Sequence, residues 1–265
     1  MTKIEMYCVT NKKVKLLEDI PYNLAAVGKS NFTSDYIKCD KADNIFHKEK
    51  YYSELTFHYW YWKNKLQISE SKWIGFCQKR RFWIKPESKN TLINKQNLNE
   101  HLLLDLPDDI NNFESIICEP IVISGAKKMK IIKRGWKNLI FNPLILFKKK
   151  HQNISLHFDM HHGYNNLEKA INLLYESDKL DFKKYVYTRD YYNPHLMFIA
   201  KPKILDQWFN SLFPWLEKCE EIFGFDHLKG YDTERLYAYL AERYLSFWFK
   251  KYTNYKEYPW VTIEH

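Results

Sequence analysis

The chain has 265 residues, 45% of them hydrophobic and 28% charged, so it can bury a substantial core in one large or two small domains. Its five cysteines are widely spaced without a CxxC pair, which suggests neither a disulfide framework nor a zinc knuckle and favours a reducing cytoplasm. The N-terminal apolar stretch is too short and polar for a signal peptide, and no run reaches the roughly 18 apolar residues of a spanning helix. We therefore expect a cytoplasmic protein that is soluble or peripheral.

The net charge of +9 is concentrated in one segment. Residues 120–158 hold nine Lys or Arg and no Asp or Glu, whereas the remaining 32 basic residues balance the 32 acidic ones. Such a segment favours an anionic partner, which could be a membrane surface, a phosphorylated carrier or a nucleic acid. A solvated basic loop without a partner is the alternative.

The first half of the chain predicts strands joined by a helix. "KIEMYCVT" alternates and is rich in β-branched and aromatic residues, which predicts a strand ending near Thr10. Apolar residues at helical spacing predict a helix over residues 49–66, and "KWIGFC" predicts a buried strand after it. This order indicates an α/β domain with buried parallel strands. Residues 84–112 are polar and predict a surface excursion with one short helix near Leu102.

The second half is expected to be mainly helical. "SIICEPIVI" predicts a strand interrupted by Pro120, and "HLMFIA" predicts another. Asn166 and Asp232 are expected to cap helices, and Pro214 is expected to restart or kink the helix that begins at Pro202. Arg243 falls inside the apolar stripe of the last helix, so it needs an acceptor or a cavity.

Known catalytic motifs are missing from the sequence, which contains no GxSxG, P-loop, GxGxxG or HExxH. The stretch "HFDMHH" places His157 and His161 on one helix face, and a metal site there is weighed against a polar helix surface, which we favour. Arg80 and Arg81 directly follow the strand "KWIGFC". Ligands of open α/β sheets bind at the carboxyl ends of strands, and guanidinium groups suit phosphate, so these residues predict an anionic or phosphorylated ligand.

The stretch "YYSELTFHYWYWKN", followed by "WIGFCQKRRFW", resembles a known family, the bacterial capsule and O-antigen glycosyltransferases long filed as a domain of unknown function. The family has an acid-Leu pair, an aromatic helix ending in Trp-Lys-Asn, and a strand Ile-Gly-Leu-Cys running into His-Tyr-Arg-Arg-Tyr. Similar segments are "YCVTNK", "LAAVGKSN", the triplet beginning at Asp43, the segment from His162 to Leu167, "LMFIAK" and "YLAERYLSFWF". Only about residues 84–150 lack a convincing correspondence.

The chain also departs from the family pattern. Gln78 and Lys79 stand where the family has His and Tyr, and Asn11 stands in place of a His. Asn166 replaces an Asp, and Leu196 replaces an Asn. These departures put the identity of the sugar in doubt more than the type of reaction.

The resemblance implies a single glycosyltransferase domain over residues 1–265, with a Rossmann-like, GT-A-like scaffold, a variable basic insertion at about 84–150 and a helical C-terminal part. It implies transfer from a nucleotide-sugar donor, with a UDP-sugar of the UDP-galactose type expected, to a saccharide or lipid-linked saccharide in capsule, O-antigen or lipooligosaccharide synthesis. Many such enzymes hold a divalent cation with an Asp-x-Asp at a strand end, which this chain lacks. We therefore expect no cofactor and a metal-independent reaction, leaving a divalent cation open.

The resemblance also suggests residue roles. Lys79, Arg80 and Arg81 are expected to neutralise the donor diphosphate in place of a metal. The candidates for the catalytic base are Asp232, ranked first, Glu242 and His162. The nucleoside is expected to contact Thr10, Gly28, Asp43 and Asn44. The acceptor is expected to contact His195 and Arg243.

Two alternatives concern the basic, aromatic-rich composition. "LIFNPLILFKKK" sets apolar residues beside three lysines, so residues 127–150 could bind an anionic membrane surface, against the alternative of a buried helix or hairpin ending in solvated lysines. The second function weighed is a nucleic-acid-binding module without catalytic activity. Because the aromatics fall mainly in helical core stripes and no recognition motif occurs, nucleic acid is not the expected partner.

Overall fold

A computed structural model describes residues 2–264 of the chain. Its strands are β1 Thr2–Thr10, β2 Asn23–Ala26, β3 Ile37–Lys38, β4 Trp73–Gln78, β5 Arg81–Trp83, β6 Asp105–Leu106, β7 Ser115–Cys118, β8 Ile121–Val122, β9 Tyr191–Tyr192, β10 Phe198–Ala200, β11 Tyr255–Tyr258 and β12 Trp260–Thr262. Its α-helices are α1 Lys15–Glu18, α2 Glu49–Tyr52, α3 Leu55–Asn64, α4 Leu98–His101, α5 Lys128–Arg134, α6 Trp136–Phe141, α7 Ile154–His162, α8 Asn166–Ile171, α9 Glu176–Thr188, α10 Pro202–Phe223, α11 Tyr231–Glu234 and α12 Leu236–Tyr252. Short 3₁₀ helices span Phe46–Lys48, Pro86–Ser88, Asp108–Asn112, Pro143–Leu146 and Lys149–His151.

The described residues divide into two compact units. Unit 1 contains residues 2–119, 195–213 and 248–264, and unit 2 contains residues 120–194 and 214–247. The expected single domain with an insertion at 84–150 stays a prediction.

Unit 1 is built on a mixed sheet with strand order β11-β7-β10-β4-β1-β2-β3. Strand β1 pairs in parallel with both β2 and β4, and β2 pairs in parallel with β3. Strand β10 runs antiparallel between β4 and β7, while β11 lies parallel to β7. The predicted strands ending near Thr10 and Cys77 are therefore confirmed as neighbours in one α/β sheet.

Both faces of this sheet are buried, because alternate side chains of each strand point to opposite sides. On one face, Met6 and Cys8 of β1 pack with Trp73 and Cys77 of β4. On the other, Phe76 of β4 contacts aromatic rings of β1, α3, β10 and α10, namely Tyr7, Phe57, Tyr61, Phe198 and Phe209. Phe57 and Tyr61 thus belong to the buried face of α3, whereas Tyr59 and Trp62, which share a helical stripe with Leu55, are only partly buried.

The expectation that residues 84–112 form a surface excursion is wrong. Leu98, Leu102, Leu106 and Ile110 are buried in the core cluster of the first face, and β6 pairs with the start of β1. The predicted short helix near Leu102 is confirmed as α4. Scattered leucines separated by Asn and Lys can cover a sheet without any regular period, so the sequence shows no periodic sign of this burial.

Several predicted helix boundaries are also wrong. The helix expected over residues 49–66 is broken at Ser53, whose φ of 52° cannot continue a right-handed helix. Asn166 is the first residue of α8 rather than its cap, which is Asn165. Asp232 lies inside α11, whose N-cap is Gly230, and Pro214 lies within a single continuous α10. "SIICEPIVI" gives two strands, one in each unit, on either side of Pro120.

Unit 2 is mainly helical, with the two strands β8 and β9 paired antiparallel. Its buried polar groups bridge helices: the Tyr244 hydroxyl donates to Asp178 at 2.6 Å, and Trp215 Nε1 donates to the Ala170 carbonyl at 2.8 Å. These bonds satisfy polar groups that would otherwise destabilise a helical core. No helix among residues 2–264 is long and apolar enough to cross a membrane.

The buried side chain of His58 makes the stability of unit 1 sensitive to acid. Its ring lies 4.5 Å from Phe76 and 5.3 Å from Phe198 between centroids, and neither of its nitrogens has a hydrogen-bond partner within the described chain. Burial lowers the pKa of His58 to about 3. Since the unfolded chain has a His pKa near 6.5, it binds more protons than the folded chain between about pH 3 and 6.5. Stability is full above this window and is lost as the pH falls through it.

We expect His58→Phe to remove this loss and to raise the free energy of unfolding at pH 7.5 by about 1–3 kcal/mol, because it removes unpaired buried polar atoms. Urea titrations at pH 7.5 and 5 measure both effects, with the exposed His227 changed to Phe as a control. An equal pH slope in wild type and His58→Phe would contradict the assignment.

Candidate functional site

The candidate site lies at the edge of the unit 1 sheet where its parallel strands end. The chain places β2 and β3 on one side of β1 and then crosses to form β4 on the other side, so the order reverses between β1 and β4. The ends are level, since Thr10 pairs with Ala26, and Val9 with Gln78. Ligands of open α/β sheets bind at such a reversal point.

The ends of β1 and β2 are held together by their backbones. The Val27 amide donates to the Thr10 carbonyl at 2.9 Å, and the Thr10 hydroxyl donates to the Lys12 carbonyl at 2.6 Å. Gly28 follows with a φ of +78°, and a Cβ there would lie 3.2 Å from the Glu49 carboxyl group. Thr10 and Gly28, both predicted to contact the nucleoside, therefore adjoin one another at the sheet edge.

Gly28→Ala is expected to lower the free energy of unfolding by more than Gly125→Ala does. Both positions have a positive φ, which costs an L-residue about 1–2 kcal/mol, but a Cβ at Gly125 would meet nothing within 4 Å. Urea denaturation of the two variants measures the difference, which should disappear in a Glu49→Ala background. Equal losses for the two glycines would show that contact with Glu49 is irrelevant.

Lys79 is fixed at the reversal point itself. Its backbone amide donates to the Val9 carbonyl at 3.1 Å, which continues the pairing of β4 with β1, and its Nζ donates to Asn11 Oδ1. The Ser30 hydroxyl in turn donates to the Asn11 carbonyl at 2.7 Å. One cation is thus held between the ends of β1 and β4 by a residue from the loop after β1.

The two arginines lie in the tight turn from β4 to β5. Arg81 Nη1 donates to Gln78 Oε1 at 2.8 Å, which orients a partly buried guanidinium group. Arg80 forms an ion pair with Glu264 at 3.0 Å, and its carbonyl accepts from the Ile263 amide at 2.8 Å. The Arg80 side chain is 37% exposed, and such a surface pair contributes little stability, so an anionic ligand could compete with Glu264 for it.

Asp43 and Asn44 lie in the loop after β3. Tyr59 donates its hydroxyl to Asp43 Oδ1 at 3.2 Å, which ties this exposed carboxylate to α3. The Asn44 side chain accepts from the Phe46 amide at 3.0 Å and donates to the Ala42 carbonyl at 2.8 Å. Asn44 therefore shapes its own loop, and Asp43 is tied to α3.

His195 stands just before β10, which is the neighbour of β4 on the side away from β1. Its φ of 70° is unusual for a residue other than Gly, and its ring meets Trp260 edge-on at 4.4 Å. Because β10 runs antiparallel to β4, its beginning lies at the same sheet edge as Lys79. Trp260, which sequence reasoning missed, positions the predicted acceptor-binding residue.

In unit 2, His162 and Asp232 are brought together. The Asp232 carbonyl accepts a hydrogen bond of 2.7 Å from His162 Nδ1, so the proton of this imidazole is on Nδ1 and the lone pair on Nε2. Burial, reinforced by the nearby Arg243 charge, lowers the pKa of His162 to about 3. The Asp232 carboxylate pairs with Arg134 at 3.1 Å in a half-exposed position. Asp232 therefore presents a half-exposed carboxylate, while His162 stays neutral.

Glu242 and Arg243 form a second pair in unit 2. Arg243 is 1% exposed, its guanidinium carbon is 3.9 Å from the centre of the Tyr192 ring, and its Nη1 donates to Glu242. The expectation that the guanidinium group of Arg243 needs a hydrogen-bond acceptor is thus confirmed, and the Glu242 carboxylate is that acceptor. Arg243 also lies beside His157, whose pKa burial and this positive charge lower to about 2.

Residues 2–264 contain no cluster of three or more His, Cys, Asp or Glu side chains arranged to hold a metal ion. The residues at the end of β4 are cations and an amide, which do not fit a divalent cation.

Comparisons with known proteins concern the family and the fold of the chain. A family model described as "Domain of unknown function (DUF4422)" matches residues 5–254. A solved structure described as the apo structure of the bifunctional glycosyltransferase WbbM is similar, with a TM-score of 0.71 and 18% sequence identity over 100% of this chain. This chain spans 46% of the length of that one. The similarity confirms the predicted α/β, GT-A-like fold, and no curated protein matches the sequence.

Proposed function

Because the chain belongs to the family described as Domain of unknown function (DUF4422) and has a GT-A-like fold, we propose that it is a glycosyltransferase using a nucleotide-sugar donor and a saccharide acceptor. The observation that carries the proposal is the group of cations Lys79, Arg80 and Arg81 at the reversal point of the sheet, level with the ends of β1 and β2. An anionic diphosphate is the ligand that such a group suits.

The proposed chemistry is displacement at the anomeric carbon. The bond from that carbon to the diphosphate oxygen breaks, its electron pair stays on the nucleoside diphosphate, and an acceptor hydroxyl oxygen forms the new bond. Charge therefore develops on the leaving group, where fixed cations stabilise it without reorganisation. The bond to Gln78 uses one of the five guanidinium N–H donors of Arg81 and holds the group in place for the others.

The acceptor hydroxyl must lose its proton to a base, and we propose Asp232. Glu242 is engaged in an ion pair with the buried Arg243, and its side chain is only 13% exposed, so an acceptor hydroxyl has little access to it. His162 has a free lone pair on Nε2, but a pKa of about 3 makes it a weak base near neutral pH. Asp232 has a carboxylate in an exposed ion pair that a substrate can exchange.

We further propose that Thr10, Gly28, Asp43 and Asn44 surround the nucleoside and that His195 contacts the acceptor. Arg243, for which an acceptor contact was also expected, is 1% exposed and held by Glu242, so it is not proposed to touch the acceptor. The donor proposed is a UDP-sugar of the UDP-galactose type. The acceptor proposed is a saccharide or lipid-linked saccharide of capsule, O-antigen or lipooligosaccharide synthesis, met at the cytoplasmic face of the membrane. These assignments are supported by the family pattern and by the positions of Thr10, Gly28 and His195 at one sheet edge.

Thermal unfolding with UDP-, GDP-, CMP- and dTDP-sugars tests the proposal. A donor at about 100 times its Kd stabilises by roughly 2.7 kcal/mol, which for a chain of this size raises Tm by roughly 5–10 °C. We expect one nucleotide class to do so equally with manganese and with EDTA. If none shifts Tm while single-stranded DNA or RNA binds at physiological salt, the basic nucleic-acid-binding module replaces this proposal.

A further inference from the structure

Unit 2 carries a surface that combines large exposed apolar side chains with lysines, and we call residues 127–150 the basic-apolar face. Seven large apolar residues within it are exposed: Met129, Ile132, Trp136, Ile140, Phe141, Leu144 and Phe147. The exposed fraction reaches 78% for Phe141, 74% for Met129 and 73% for Phe147. Single exposed apolar side chains are ordinary in soluble proteins, whereas a contiguous set marks an interaction surface.

This exposure is not a sign of an unpacked segment. Ile131 and Ile145, from the same stretch, are buried against Leu156 and Met160 of α7. The Gln152 side chain ties the stretch further, since its Oε1 accepts from the Gly125 amide at 2.7 Å and its Nε2 donates to the Ile145 carbonyl at 3.1 Å. The stretch therefore has two sets of apolar residues. The buried set anchors α5, α6 and the following 3₁₀ turn to α7, and the exposed set faces outward.

Within the stretch itself all charges are positive, and the acids that reach it are Asp232, paired with Arg134, and Asp159, which accepts from Asn138. Residues 120–158 hold nine Lys or Arg and no acid, and Lys127, Lys133 and Lys148 to Lys150 are all exposed. Lys128 lies 5.2 Å from the Phe147 ring, and Lys137 lies 5.7 Å from the Trp136 ring. The cations thus stand directly beside the exposed aromatic rings.

We propose that the basic-apolar face docks on the surface of an anionic lipid bilayer. Apolar and aromatic side chains enter the boundary between headgroups and acyl chains, while lysines beside them meet anionic headgroups. The charge complementarity favours this occupant, because a bilayer offers a continuous negative surface and an apolar interior together. The helices α5 and α6 are too short to span it, so the chain lies on the membrane.

Vesicle co-sedimentation of the whole chain tests the docking. Vesicles of phosphatidylcholine alone are compared with vesicles containing phosphatidylglycerol, at low and at physiological salt. One variant combines Trp136→Ser, Phe141→Ser and Phe147→Ser, and another combines Lys148→Gln, Lys149→Gln and Lys150→Gln. Matched controls change exposed residues elsewhere: Leu92, Leu180 and Ile222 to Ser, and Lys15, Lys95 and Lys203 to Gln.

We expect wild type to sediment with the phosphatidylglycerol vesicles and to be released by salt. Each lysine near an anionic surface is worth roughly fivefold in partitioning, so the lysine variant should bind on the order of a hundredfold more weakly. The aromatic variant should lose binding to a similar degree, and both control variants should bind as wild type does. Circular dichroism should be unchanged in all four, because the altered side chains are exposed.

Three results overturn the proposal. One is wild type that stays in the supernatant with both vesicle types. The second is a wild type that forms a dimer in size-exclusion chromatography and does not bind vesicles, while the aromatic variant is a monomer. The third is salt-sensitive binding to single-stranded DNA or RNA through this face in place of vesicles. Transfer to a soluble acceptor without vesicles is measured separately, so a failure of docking is distinguishable from a failure of the proposed glycosyltransferase activity.

Discussion

Replacing both Arg80 and Arg81 with Ala is expected to reduce sugar transfer by a factor on the order of 10⁴ or more. Removal of one preorganised donor at a developing negative charge typically costs about 10²–10³ in rate, and here two guanidinium groups are lost. The effect should appear mainly in kcat, because charge on the leaving diphosphate grows as the bond to the sugar breaks. Initial rates with the donor identified by thermal unfolding measure it.

The single variants should differ in a way that the structure predicts. Arg81 is partly buried and oriented by Gln78, so Arg81→Ala should lose more activity than Arg80→Ala, whose side chain pairs with Glu264 at the surface. Arg81→Lys keeps the charge but not the planar fork, and should fall between Arg81→Ala and wild type. Arg189→Ala, at an exposed arginine of unit 2, is the matched control and should retain full activity. Retained turnover in the double variant with an unchanged circular dichroism spectrum would refute the diphosphate role.

The second large effect concerns stability. Glu242→Gln is expected to lower the free energy of unfolding by about 3–5 kcal/mol, because it leaves the Arg243 charge buried without its carboxylate. Tyr192 still contacts the guanidinium group through its ring and contributes about 2 kcal/mol, but this contact is present in both wild type and variant and does not replace the carboxylate. Urea denaturation at pH 7.5, monitored by tryptophan fluorescence, gives the loss directly.

The double variant Glu242→Gln with Arg243→Met separates two explanations. If the uncompensated charge causes the loss, removing the guanidinium group as well should restore much of the stability, since apolar replacement of a buried pair is often neutral. Asp109→Asn is the control, because Asp109 pairs with Lys256 at 2.8 Å in an exposed position, where a pair contributes about 1 kcal/mol or less. A loss for Glu242→Gln no larger than for Asp109→Asn would contradict the burial argument.

The departures from the family pattern gain a meaning that only the structure supplies. Asn11 and Gln78 each stand where the family has a His, and they are the residues that hold Lys79 and Arg81. Asn11 is 68 positions away from Lys79 in sequence. No local sequence pattern connects Asn11 with Lys79, so in the sequence Asn11 and Gln78 are two isolated differences from the family. In the fold, both side chains contact cations of the proposed diphosphate site.

Sequence reasoning did less well with the polar residues 84–112. The buried leucines of this segment have no period, so their burial depends on which part of the sheet is left to cover. Glu242, one of the candidate bases, and Arg243 are neighbours on one helix and form an ion pair. The contact between His162 and the Asp232 backbone, by contrast, joins residues 70 positions apart.

Periodicity and neighbouring residues, which a linear chain displays, predict the strands ending at Thr10 and before Gln78 and an aromatic helix, and they reveal the basic segment and the Arg80-Arg81 pair. Only the folded chain shows that β1 and β4 lie side by side at the reversal of the sheet, that Glu264 meets Arg80 across 184 positions, and that Phe141 and Phe147 face outward while Ile145 is buried. Pairing between distant strands and the choice of buried face depend on the rest of the fold. An apolar residue can be buried or exposed, and only the placement of its neighbours decides between the two.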